Sequence, residues 1–109
     1  MAPTFNYICI SFLLLADTFA LQNVHEHQVR FMLDFEGQEG IAFLLIYYKK
    51  RDIYYYMRLC ELEVFVDRAT QGGRKSVAFP ELNPEYLFEG GHGGIVPYLE
   101  MIKKDLDER

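Results

Sequence analysis

Eight consecutive apolar residues, Ile41 to Tyr48 (IAFLLIYY), constrain this chain more than any other feature. The run has neither the spacing of an amphipathic helix nor the alternation of a half-exposed strand, so it reads as a strand buried on both faces. Lys49 to Asp52 follow as a charged turn. Ile53 to Met57 (IYYYM) then reads as a second, aromatic strand returning as the hairpin partner of the first. A chain of 109 residues suits one small domain with a modest core. Half of its residues are hydrophobic and 16% are aromatic, which excludes general disorder.

Asn23 followed by Glu26 has capping-box spacing and predicts a helix over Val24 to Phe35, ended by Gly37 and Gly40. Val24, Phe31 and Phe35 fall on one face of that helix, and Gln28 lies on the same face. Leu59 to Ala69 satisfies both periods: Cys60, Leu62, Val64 and Val66 alternate, whereas Leu59, Leu62 and Val66 form a helical stripe. Gln71 to Lys75 is a glycine-containing basic loop, and Ser76 to Phe79 reads as a short edge strand closed by Pro80. Asn83 to Gly94 is loop-like. Pro97 suits the first residue of a last helix whose buried stripe is Ile95, Leu99, Ile102 and Leu106, with Lys103 to Arg109 as a solvated tail. The order predicts a small mixed α/β domain.

The amino terminus carries another apolar run, Tyr7 to Ala16 (YICISFLLLA), too short for a spanning helix. It resembles the hydrophobic region of a secretion signal, with Thr18-Phe19-Ala20 as a weak cleavage site, but no Lys or Arg precedes it. The other readings are a buried strand or a mis-started segment, and residues 1–20 are set apart as an atypical apolar amino-terminal segment before a domain over 21–109. Cys9 and Cys60 fit no zinc motif and no disulfide framework, as in a reduced cytoplasmic protein. A net charge of -5 and a pI of about 5.1 argue against an autonomous nucleic-acid binder, so any DNA contact must come from a local basic cluster.

Few residues offer chemistry. Gln28 inside an apolar stripe is a core amide bonded to the sheet, or an oxygen ligand for a hard cation such as Mg²⁺. His25 and His27 are two apart, which on a helix sends them to different faces, unlike the i, i+4 pair of a zinc protease. Gly90-Gly91-His92-Gly93-Gly94 lacks a Walker lysine and reads as a flexible loop. Arg74 and Lys75, beside two glycines, are candidate phosphate contacts or part of a solvated loop, and Lys49, Lys50 and Arg51 are a charged hairpin tip.

The string Leu21 to Arg30 (LQNVHEHQVR), then the glycine-opened strand from Gly40, then Gly72 to Ser76 (GGRKS), resembles the RecU-type Holliday junction resolvases in that order, over about Thr18 to Leu106. The resemblance implies the carboxy-terminal part of a PD-(D/E)xK nuclease fold, with Leu59 to Ala69 helical. It further implies a cytoplasmic, Mg²⁺-dependent bacterial endonuclease with no membrane association. Such an enzyme works as a homodimer on four-way junction DNA alongside recombination proteins. By the same resemblance Gln28 is a Mg²⁺ ligand and Arg74 and Lys75 touch DNA. The family carries an Asp and a Glu-x-Lys just upstream of the LQN string; here Asp17 is the only acid before His25 and the first Lys is Lys49, so no catalytic residue is assigned. Metal-assisted hydrolysis needs carboxylates for the ion and a cation for developing charge. The expectation is a truncated, catalytically incomplete resolvase; the alternative is a non-catalytic binding or dimerisation module derived from one.

Overall fold

A computed structural model describes residues 6–90 and 98–109. Ile41–Tyr48 (β3) is the central strand of a four-stranded sheet. It pairs in parallel with Tyr7–Leu14 (β1) and antiparallel with Ile53–Arg58 (β4), and the two-residue strand Leu87–Phe88 (β6) closes the far side. Flanking by two partners and layers on both faces explains the apolar run: Ile41, Ala42, Phe43, Leu44, Ile46 and Tyr48 are all buried. The hairpin turns through Lys49 to Asp52, with Asp52 in the left-handed region that aspartate tolerates and its carboxylate accepting from the Tyr47 hydroxyl.

The apolar run at the amino terminus is therefore a strand, β1, hydrogen-bonded to β3 along its length. A second, two-stranded ribbon joins Thr18–Ala20 (β2) to Ser76–Ala78 (β5). Glu26–Gly37 (α1) makes the crossover between the parallel strands, and Leu59–Thr70 (α2) follows β4. In α2 the helical stripe prevails: Leu59, Leu62 and Phe65 are buried while Val64 is exposed. Tyr98–Asp107 (α3) lies against the sheet face that carries Phe43, Tyr56 and Arg58.

Two helices sit differently from the sequence expectation. Leu21–Asn23 forms a 3₁₀ turn and His25, not Asn23, is the N-cap of α1. Val24 is extended and lies before the helix, so counting a stripe from it fails. Phe31 is 58% exposed, and Met32 is fully buried with Val29 packed beside it. In α3 the expected stripe is also rotated. Leu99 and Leu106 are exposed; Ile102 and Asp105 are buried, with Tyr98 and Met101 packed on the core. The cause is Asp105, expected in a solvated tail. Its carboxylate accepts from the Tyr56 hydroxyl at 2.6 Å, Arg58 Nε at 2.7 Å and Arg109 Nε at 3.1 Å. A carboxylate met by three donors can be buried, and that rolls the helix inward. Arg109 continues to Glu36, whose carboxylate also accepts from Ala42 N–H, tying α3 to α1 and β3. Ile95, Pro97 and His92 lie outside the described residues.

Candidate metal and nucleic-acid contacts

The two sequence strings that stand out most are distant in the chain and adjacent in the fold. β2 pairs antiparallel with β5, in register Thr18 with Ala78 and Ala20 with Ser76. The ladder extends one step further, where Leu21 N–H donates to Lys75 C=O at 3.0 Å. The LQN turn and the GGRKS loop therefore leave the same end of one ribbon.

The loop is fixed from below. Gly72 has a φ of 89°, and a Cβ on Gly73 would fall 2.7 Å from the Arg68 carbonyl oxygen, so both positions suit glycine. Gly73 N–H donates to that carbonyl, closing α2. The Arg68 guanidinium reaches forward to Ser76 C=O and to the Glu81 carboxylate. Glu81 also accepts from Ala78 N–H; Arg68 and that amide hold its carboxyl down at about 2. Above this anchorage the side chains of Arg74 and Lys75 are exposed, with no ion pair among the described residues. At the other end of β5, Arg51 lies 3.9 Å over the Phe79 ring and makes a two-point pair with Asp17. The charged hairpin tip and the basic loop thus flank the two ends of the ribbon.

Gln28 sits in the first turn of α1, half-buried, with its side-chain oxygen accepting from His25 N–H at 2.8 Å. It is the third residue of the helix and performs the reciprocal half of a capping box. Because His25 precedes the helix, its ring does not diverge from that of His27: the two stack with centroids 5.5 Å apart and planes within 5°. Glu26 is engaged by Arg30. The expectation that the two imidazoles face apart is corrected by this geometry, since the helical rotation between them is incomplete.

Mg²⁺ needs several oxygen ligands with carboxylate charge among them. Asp17, the only acid before His25, is paired with Arg51, whose hydrogen bond holds the carboxyl below the usual aspartate range. Along β1 the exposed face carries Cys9, Ser11 and Leu13, with no charge. Among the described residues no three His, Cys, Asp or Glu side chains gather to hold a metal. One amide oxygen already used as a helix cap does not make a Mg²⁺ site, so these residues do not fit the ion by themselves.

Sequence reasoning overlooked a buried polar group behind the ribbon. Tyr48 Oη is buried without a hydrogen-bond partner, its ring edge-on to Phe79. Beside it, Tyr55 Oη donates to both oxygens of Glu61 and accepts from Asn83 N–H. Burial pushes the Glu61 carboxyl up despite the Tyr55 bond, and pushes Tyr48 up to about 12. The aromatic richness of Ile53 to Met57 was the only sequence signal for this cluster.

Comparison with known proteins adds an independent line. Residues 14–104 match the family described as Recombination protein U. The chain is 32% identical over 91 residues to the Holliday junction resolvase RecU of Pediococcus pentosaceus, covering 83% of this chain and 45% of that protein. It is 33% identical over 88 residues to the protein of the same name from Bacillus subtilis, covering 80% of this chain and 42% of the relative. Over 65 residues it is 43% identical to that of Staphylococcus carnosus, covering 60% of this chain and 31% of the relative. The chain spans less than half the length of these relatives.

Proposed function

Since the chain belongs to the Recombination protein U family, we propose that it serves Holliday junction resolution in bacterial DNA recombination and repair, and that the described residues contribute DNA contact rather than hydrolysis. The observation that carries this reading is the meeting of the LQN turn and the GGRKS loop at Leu21 and Lys75, which presents Arg74 and Lys75 on a braced, solvent-facing loop. Backbone and cationic side chains that approach together are suited to phosphate oxygens.

In this reading Arg74 and Lys75 bind the backbone of four-way junction DNA, and the protein acts in the cytoplasm as a homodimer with other recombination proteins. No helix among the described residues is long and apolar enough to cross a membrane. Gln28 adds an amide oxygen to a divalent ion only where carboxylates from outside the described residues complete the set. The alternative, a binding or dimerisation module without nuclease chemistry, is favoured by the uncharged face of β1. Residues 21–109 then form the partial nuclease domain, and β1 and β2 are the strands by which the segment before it joins it.

A gel-shift titration with four-way junction DNA tests the reading. Few phosphate contacts mean weak binding that falls steeply with salt, and Arg74→Ala with Lys75→Ala lowers the salt slope by about two. Binding unchanged in the double variant refutes the assignment of the contact. A parallel cleavage assay with Mg²⁺ or Mn²⁺ tests the second half of the reading: residues 1–109 on their own bind without nicking, and metal-dependent nicking by them overturns the assignment of contact without hydrolysis.

A further inference from the structure

The ribbon of β2 and β5 turns one face to the core and the other outward. Phe19 and Val77 are fully buried, with Phe19 edge-on to Phe12 of β1. With a period of two, Thr18 and Ala78 form one cross-strand pair on the outer face, and Ala20 and Ser76 the next. All four side chains are small and uncharged. The outer face is a low, neutral strip.

Cations stand at both ends of the strip. Arg74 and Lys75 leave one end beside Leu21. At the other end Arg51 docks the hairpin tip: it pairs with both carboxylate oxygens of Asp17, at 3.0 and 2.9 Å, and covers the Phe79 ring. Within the tip, Asp52 N–H donates to Lys49 C=O, and the Asp52 carboxylate accepts from the Tyr47 hydroxyl. Arg51 and Asp52 are thus engaged, while Lys49 and Lys50 are exposed with no ion pair among the described residues. Segments 17–20, 49–52 and 68–81 hold six of the chain's eleven Lys and Arg but three of its sixteen Asp and Glu, so they are a positive island on an acidic chain. Asp17 and Glu81 answer Arg51 and Arg68, which leaves Lys49, Lys50, Arg74 and Lys75. A cation with no carboxylate to meet faces water or a polyanion, because burying it alone is too costly.

We propose that Lys49 and Lys50 are a second phosphate contact, and that one sugar–phosphate backbone of DNA runs along the outer face of the ribbon from the hairpin tip to the GGRKS loop. The inference rests on the DNA-contact reading above and gives it a second anchor and a path. Four steps of extended chain from Lys75 to Phe79 cover about 13 Å, and one strand of B-DNA carries a charge every ~3.4 Å of helix axis, so the strip spans roughly four phosphates. Two cations at each end, with nothing bulky or acidic on the strip between them, match that length. Contacts to phosphates fix register and orientation and read no sequence. Two anchors set a direction for the DNA arm, which the GGRKS loop alone cannot do.

Gel shifts of the purified chain with four-way junction DNA over a range of salt test the path. Four phosphate contacts give a slope of log affinity against log salt of roughly -4. Lys49→Gln with Lys50→Gln lowers its magnitude by about two. The melting temperature is unchanged because both lysines are exposed. Thr18→Glu sets a carboxylate on the strip and weakens binding about fivefold, as one close like-charge contact in water does. If the lysine variant keeps the full slope while Arg74→Ala with Lys75→Ala lowers it, the second anchor is overturned and the reading above stands; if neither pair changes it, both are overturned. Binding indifferent to Thr18→Glu overturns the path. Lysine acylation by an N-hydroxysuccinimide ester needs no variant. Junction DNA shields Lys49, Lys50 and Lys75 and leaves the exposed Lys103 of α3, across the sheet, reactive. Lys49 and Lys50 shielded by poly-glutamate and not by DNA would mark the tip as a protein contact and overturn the assignment.

Discussion

Replacing Asp105 by Asn is the sharpest perturbation of the fold. The carboxylate is fully buried and receives bonds from Tyr56, Arg58 and Arg109. An amide of the same shape keeps one acceptor oxygen but turns an NH₂ toward donors, and leaves two guanidinium groups short of their counter-charge. Breaking a buried ion pair from one side costs about 3–5 kcal/mol. The side chains of Arg58 and Arg109 are 21% and 32% exposed, so water compensates them in part and the lower end applies, about 3 kcal/mol. For a domain of this size that is a large share of total stability and a fall in melting temperature of roughly 12–20 °C. Urea titration and thermal melting by circular dichroism measure it. Tyr56→Phe, which removes one donor and leaves the charge paired, costs less, about 1.5–2 kcal/mol, the lower part of the range for a hydrogen bond to a charged group. Acid should reproduce the loss. Burial pushes the Asp105 carboxyl up, but the bonds from Arg109, Tyr56 and Arg58 outweigh it and the net shift is downward. A depressed folded value means the contribution is present above about pH 4, the unfolded value, and fades as pH falls below it. Asp105→Asn within 0.5 kcal/mol of the wild type, a surface-like value, would refute the account of why α3 is rolled inward.

Tyr48→Phe should be neutral or stabilising by up to about 1 kcal/mol, because the hydroxyl removed is buried without a partner; a loss of stability in the same melts would mean that the hydroxyl is satisfied in solution. Glu81, held at about 2 by Arg68 and Ala78 N–H, supports the base of the GGRKS loop above about pH 4 and releases it as pH falls toward 2; the amide exchange of Gly73 and Ser76 should accelerate over that window and not above it. Gln28→Ala should cost about 0.5–1 kcal/mol through the lost helix cap, by the same amount with and without Mg²⁺; a wild-type melting temperature that rises with Mg²⁺ and a variant that does not respond would show that the amide binds the ion after all.

Local pattern was enough for the parts of this protein whose chemistry is local. Ile41 to Tyr48 could only be a buried strand, and four charged or polar residues after it could only be a turn leading to the aromatic strand beside it. The strings around Gln28 and around Arg74 and Lys75 were legible for the same reason, each being contiguous. Tertiary structure decided whatever depended on a distant partner. Tyr7 to Leu14 is apolar enough for several fates, and pairing with β3 made it a strand. The starting phase of α1 moved because the LQN turn is held by Lys75 across the ribbon, which leaves Val24 outside the helix. Asp105 looked like a solvated tail residue, since hydropathy assigns a carboxylate to water unless donors await it, and here they come from Tyr56 and Arg58, 49 and 47 residues away in sequence. Periodicity along one helix registers which residues are apolar; it carries no information about which charges the rest of the fold has arranged to meet, and that matching set the face α3 buries.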